Sequence, residues 1–213
     1  VTDIAIDLEG QLRSGSIELL QIGMGGEPSK NEKERRIIIF DLLTIQKCES
    51  LLKDVKVFLR NLLGDEKISK TFQDCRTDSK ALHRYLNSCP KGIFDISAAE
   101  ILVSTLRIYV ENQKIIDCPD PDNNNDDAIQ KVMRKCEDIK WPGLNDILLK
   151  YNATHGLNIY KNKMKKMFGT PEHRPYFLAR PIEHDYLHYS AQDVQDLVEV
   201  KYKMLNVIEA LLN

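Results

Sequence analysis

The sequence is short of most features that would assign it to a special class. It has one tryptophan among its 213 residues and no apolar run near the ~18–20 residues that would span a bilayer. It has no excess of either charge: 30 Lys and Arg stand against 32 Asp and Glu, a formal net charge of -2. That balance excludes a polybasic nucleic-acid-binding tail and an acidic disordered chain. The five cysteines (48, 75, 89, 118 and 136) are odd in number and contain no C-x-x-C spacing. This argues against a disulfide framework and a cysteine zinc site, and for thiols in a reducing compartment. No signal peptide is read, since Asp3, Asp7 and Glu9 already interrupt the first ten residues. The chain starts at Val1 rather than Met, so we expect an excised domain whose native targeting would be lost. The expected setting is intracellular, cytoplasmic or nuclear, with no membrane partner.

What is present is an ordinary core-forming composition, 42% hydrophobic and 29% charged. Residues 3–8 alternate polar and apolar side chains, and 17–23 and 36–41 are apolar, β-branched runs, so all three read as strands. No helix fits between them, which makes them an antiparallel meander. Residues 45–63 then place apolar residues at 51, 52, 55, 58, 59, 62 and 63, a helical spacing. A strand at 68–72, a helix at 77–87, a strand at 92–95 and a helix at 97–110 complete an α/β pattern with a mixed sheet. Residues 116–130 hold five Asp, three Asn, two Pro and no Lys or Arg, and read as an acidic surface loop. It lacks the glycine and final glutamate of a calcium loop. A helix at 144–152 follows, then a basic stretch at 161–166, an irregular Pro171–Pro181 and one long helix from about Glu183 to the end. The whole of 1–213 reads as a single domain.

Carboxylates stand where a sheet protein would present them together. Asp7 and Glu9 end the first strand two residues apart, so they share a face while Leu8 takes the other. Like charges so placed repel, and a metal or a cation cluster is the usual resolution. Asp78 falls near the start of a helix, and Tyr189 and Asp193 lie four apart on one helical face. Hard divalent cations take oxygen ligands, and two-metal phosphodiester sites need several converging carboxylates.

The order and wording of these motifs resemble the DEDD superfamily of 3′–5′ exonucleases, in its tyrosine-bearing branch. I-A-I-D-L-E-G at 4–10 is similar to the first motif, F-Q-D-C-R-T-D-S-K-A-L at 72–82 to the second, and R-P-I-E-H-D-Y-L-H-Y-S-A-Q-D-V at 180–194 to the third. F-D-I-S at 94–97 and G-L-N-D-I-L-L-K-Y at 143–151 are intermediate landmarks. The flavour is nearest to ribonuclease D, the Werner-type exonuclease domain and the Egalitarian and exonuclease-domain-containing group. Two positions depart from the pattern: Gln73-Asp74 stands where the family often has His, and Phe177 or Tyr176 where it commonly has Trp before the Arg-Pro.

The resemblance implies a ribonuclease H-like mixed sheet flanked by helices, with the acidic 116–130 segment as an insertion. It implies two divalent cations, Mg2+ or Mn2+, held by Asp7, Glu9, Asp78 and Asp193. Asp7 would bridge both, Glu9 and Asp193 would hold the water-activating metal, Asp78 would serve the second, and Tyr189 would orient or deprotonate the attacking water. The expected activity is stepwise release of nucleoside monophosphates from single-stranded RNA. Seven bases against Glu172 between 150 and 180 make Lys161, Lys163, Lys165, Lys166 and Arg180, with Lys150 and Arg174, candidate contacts to the strand. Leu8 and Gly10 are candidates to wedge against or admit the terminal base. A DNA exonuclease, and a non-catalytic RNA-binding or scaffold domain of the same fold, remain the alternatives. Protein partners in an RNA-processing or small-RNA complex are also expected.

Overall fold

A computed structural model describes residues 2–13, 16–26, 35–117, 125–168 and 178–213. Among these the chain runs β1 (Asp3–Glu9), β2 (Leu19–Met24), β3 (Arg36–Asp41), α1 (Leu42–Ile45), α2 (Glu49–Gly64), β4 (Ser69–Phe72), α3 (Arg76–Leu86), β5 (Ile93–Asp95), α4 (Ile96–Asp117), α5 (Asn125–Glu137), α6 (Leu144–Lys150), α7 (Lys161–Phe168), α8 (His184–Gln195) and α9 (Leu197–Leu212). The five strands form one sheet ordered β3-β2-β1-β4-β5. β1, β2 and β3 pair antiparallel, as the missing room for helices required, and β4 and β5 run parallel to β1. This is the ribonuclease H-like mixed sheet flanked by helices.

The two-residue repeat of β1 assigns its side chains. Ile4, Ile6 and Leu8 point into one core with Leu59 and Leu63 of α2 and Ala81, Leu82 and Leu86 of α3. Ala5, on the face that carries Asp7 and Glu9, packs with α6, α8 and α9 through Leu148, Val194 and Leu197. The proposed wedge, Leu8, is therefore corrected: it is 4% exposed and belongs to the core opposite the carboxylates.

Two segments differ from the expectation. Residues 125–130 open helix α5, and 116–117 end α4, so the acidic loop is at most the intervening stretch, which lies outside the described residues. In α5, Ala128, Val132 and Cys136 fall on one face, a period that the preceding run of Asp and Asn hid. The C-terminal helix is two helices that break at Asp196. Its buried carboxylate is bonded by Arg35 and by the backbone N–H of His155 at 3.0 Å, both from distant parts of the chain. The four described cysteines (48, 75, 89 and 136) are free, and Cys118 lies outside the described residues. No described helix is long and apolar enough to cross a membrane.

One glycine sets the distance between sheet and site. A Cβ on Gly23 of β2 would stand 2.7 Å from the carbonyl oxygen of Val194 in α8. Only hydrogen at that position lets α8 lie against the strand that pairs with β1. Gly23→Ala should cost about 1–3 kcal/mol, read by urea denaturation, because backbone must shift. Gly64→Ala is the control: nothing lies within 4 Å of its Cβ, and it should gain about 0.5 kcal/mol. Equal effects for the two substitutions would contradict the close approach.

Candidate active site

Asp7, Glu9 and Asp193 each offer a carboxylate oxygen, and these oxygens lie within 4.8 Å of one another. The first two come from alternate positions of β1 and the third from α8, which Gly23 admits against the sheet. Glu9 and Asp193 are buried at 9% and 4% exposure, and Asp7 is half-buried. Burial first, then repulsion from Asp193 and Asp78, hold the Asp7 carboxyl well above the ordinary carboxylate range. Glu9 is raised in the same way, by burial and then by Asp7 and Asp193. Asp78 stands outside the tight trio but close enough to repel Asp7. Its place on the first turn of α3 is buried, and that burial pushes its carboxyl up to about 7. All four predicted carboxylates thus belong to one electrostatic unit.

Tyr189 lies one helical turn before Asp193 and hydrogen bonds to Glu9. Burial, followed by the nearby Glu9 and Asp193 charges, drives its phenol far above its usual range, so it stays protonated. Tyr186 stacks on it with ring centroids 6.3 Å apart.

The basic candidates divide. Lys161 is drawn toward the acidic cluster: its Nζ lies 3.0 Å from Asp193 Oδ1. Burial alone would lower its pKa, yet attraction to Asp193 and Asp7 raises it. Lys163 pairs with Asp185 on the surface. Lys165 and Lys166 are exposed on α7. Arg180 forks onto Asp41, Nε to Oδ2 at 2.7 Å and Nη2 to Oδ1 at 2.6 Å, and so ties the approach to α8 onto the end of β3. Lys150 pairs with Glu100. Arg174, Glu172, Tyr176 and Phe177 lie outside the described residues. Gly10 is corrected as well. Its φ is +143°, and a Cβ there would fall 1.6 Å from the Glu18 carboxylate, so the glycine makes room for Glu18 rather than for a base.

Several positioning residues escaped the sequence reading. Asn158 donates from Nδ2 to Asp193 Oδ1 at 2.8 Å and to the Tyr189 carbonyl at 3.0 Å. It is held in turn by Asn145, which donates to its carbonyl at 3.1 Å and accepts from its N–H at 2.9 Å. The only signal was Asn145 within the G-L-N-D landmark; Asn158 sits in an irregular stretch with no periodicity to mark it. Asp95, in the F-D-I-S landmark, accepts from the backbone of Asp74 at 3.1 Å and Cys75 at 2.8 Å, and from Ser97 N at 2.9 Å. One carboxylate thus fixes the turn before α3 and the start of α4. Gln73, standing where the family often has His, donates to Ser97 Oγ at 3.1 Å. Directly across β2 from Asp7, Gln21 is fully buried, and no described residue bonds its amide group.

Gathered oxygen ligands, balanced in contact by one lysine, suit hard divalent cations. The fold and this carboxylate set define a nuclease core. The family model described as 3′–5′ exonuclease matches residues 2–209, and the chain belongs to that family, whose members use divalent metal ions.

Solved structures share the fold. A Trypanosoma brucei RNase D in complex with GMP is 20% identical over 99% of this chain and 55% of its own length, with a TM-score of 0.62. This chain therefore spans little more than half of that enzyme. The Aedes aegypti Nibbler EXO domain (14% identity, 100% and 86% covered, TM-score 0.54) and Brucella melitensis NrnC with bound Mg2+ (18%, 99% and 75%, TM-score 0.51) are also similar. No curated protein matches.

The raised carboxyls make stability depend on pH. Asp7, Glu9 and Asp78 keep protons in the folded chain where the unfolded chain has released them. Their contribution is full below the unfolded value near 4 and is lost as pH rises through the folded value, about 7 for Asp78. Thermal melts in chelator should fall between about pH 5 and pH 8, and Mg2+ or Mn2+ should raise them more at pH 8. Asp7→Asn should flatten the slope; a slope unchanged by that substitution would contradict the coupling. Asn158→Ala, which leaves Asp193 held by Lys161 without its neutral donor, should weaken metal affinity roughly 10- to 100-fold by calorimetric titration.

Proposed function

We propose that the chain is a metal-dependent 3′–5′ exoribonuclease that releases nucleoside monophosphates from single-stranded RNA. The observation that carries this is the convergence of Asp7, Glu9 and Asp193 beside Tyr189 and Asp78. Bound there, two divalent cations would lower the pKa of the attacking water and stabilise the leaving 3′ oxygen. Asp7, central to the repulsion, would contribute to both cation positions, Glu9 and Asp193 to the water side, and Asp78 to the leaving-group side. Tyr189, hydrogen-bonded to Glu9 and one helical turn before Asp193, would orient or deprotonate the attacking water. Asn158 and Lys161 hold Asp193 in place for that arrangement. Lys165 and Lys166 on the outer part of α7 would meet the strand's phosphates, with Lys163 able to exchange its exposed partner Asp185 for a phosphate.

The test uses 5′-labelled single-stranded RNA with Mg2+ or Mn2+, and a DNA strand of the same sequence. Stepwise shortening from the 3′ end, faster on RNA, is the expected result. Asp7→Asn should abolish it with an unchanged circular dichroism spectrum, and Tyr189→Phe should lower kcat roughly a hundredfold while KM moves little. RNA left intact with both metals would overturn the reading in favour of a non-catalytic RNA-binding domain. Faster cleavage of DNA would overturn the RNA preference alone.

A further inference from the structure

We propose that Arg76 and Trp141 form a stacking platform for a nucleobase of the single-stranded RNA, at the turn between β4 and α3. The inference rests on the exonuclease reading for the identity of the strand, and its observations are separate from the carboxylates. Trp141, the sole tryptophan, precedes α6 and is 40% exposed. The Arg76 guanidinium lies over its ring, 4.1 Å from the centroid. Asp74 holds both members: Arg76 Nε and Nη2 donate to its two carboxylate oxygens at 2.6 and 2.7 Å, and the indole N–H donates to it as well. Asp74 itself sits in the left-handed region at φ 57°, with its N–H bonded to Asp95.

The chemistry of the ligand follows from what this arrangement leaves available. Two edge donors of the guanidinium are taken by Asp74, and its charge is balanced there. A phosphate would find only the remaining Nη end of a cation whose charge Asp74 already balances. The planar outer face remains, on a side chain 61% exposed, and it is held flat by the fork below and the indole beneath. Bases stack on Arg guanidinium planes and on aromatic rings, without regard to sequence. An exposed ion pair by itself would stabilise the fold little, so stability does not account for the stack.

The position is right for a strand entering the site. Arg76 opens α3, the helix that carries Asp78, and Asp74, which holds the platform, is bonded through its N–H to Asp95 at the end of β5. The platform lies past the carboxyl ends of β4 and β5, where ligands of open α/β sheets bind. A nucleotide upstream of the 3′ end would rest its base there while the end reaches Asp7.

The sole indole makes the test direct. In an Asp7→Asn background, where the strand survives, Trp141 emission is followed during titration with a short oligoadenylate RNA. Anisotropy of a labelled copy of that strand reports binding in parallel. We expect emission to change with the same midpoint as anisotropy. Trp141→Leu, Arg76→Ala and Arg76→Lys should each raise Kd roughly tenfold for the normal strand and leave an abasic strand of equal length unaffected. Binding without a change in emission, equal weakening on both strands, wild-type behaviour of Arg76→Lys, or no binding would each overturn the platform. If the platform behaves as expected and the native chain cuts no RNA, the exonuclease reading fails alone. If the native chain cuts RNA with silent emission, the platform fails alone.

Discussion

Mutual repulsion among Asp7, Glu9 and Asp193 is the constraint around which the molecule is arranged. A strand's two-residue period puts the first two on one face without any special geometry. The third arrives only because α8 rides close over β2, where Gly23 has no side chain to hold it off. Asp7 and Glu9 are then worse placed, as carboxylates in the folded chain, than they would be in water. The fold tolerates this because two hydrophobic cores lie on either side of the sheet, one under α2 and α3 and the other under α4, α6, α8 and α9. An arrangement that raises its own carboxyl pKa values is poor for stability and well suited to gather cations. Strain of this kind collects at functional sites.

The surrounding polar contacts confine the carboxylates rather than relieve them. Asn158 supplies a neutral donor to Asp193 and to the backbone of the same helix, so it fixes orientation without cancelling charge. Asp95 does similar work for the turn ahead of Asp78, joining the ends of β4 and β5 to the starts of α3 and α4. On the far side, Arg35 links the start of β3 to Glu199 at 2.6 Å and to Asp196 at the α8–α9 break. That staple, with the Arg180 fork onto Asp41, locks the two ends of the segment carrying Tyr189 and Asp193. The site is therefore braced from outside its own elements.

Bracing of this kind decides which parts were legible in the sequence. The strands and the carboxylates follow from short periods, two residues in β1 and four in α8, so the amino-acid order alone places Asp7, Glu9, Tyr189 and Asp193. The F-D-I-S and G-L-N-D strings marked Asp95 and Asn145, though not what they do. Asn158 and Arg35 are invisible because their partners are 35 and 164 residues away, and no local pattern encodes such pairs. Leu8 was misplaced by adjacency: next to a candidate carboxylate in sequence means opposite to it on a strand, whereas Gly10, just past the strand, makes room for Glu18. The α8–α9 break escaped because the apolar period continues across Asp196, whose carboxylate is held by tertiary bonds that no local pattern encodes.

The balance of charge also takes on a spatial meaning. A net charge of -2 hides a buried acidic centre and a basic helix that begins inside it. Lys161, the first residue of α7, sits on Asp193, whereas Lys165 and Lys166, one turn on, reach solvent. One helix thus carries positive charge from the pocket outward. For a polyanion, that gradient offsets the repulsion it would otherwise meet from the carboxylates. Among the described residues, Lys161 brings a single positive charge into contact with the trio, too little to neutralise three carboxylates. Phosphate can approach such a centre only if further positive charge enters with it or ahead of it. Binding of strand and binding of metal should then be coupled through the same electrostatic deficit, each strengthening the other, and both weakened as salt rises.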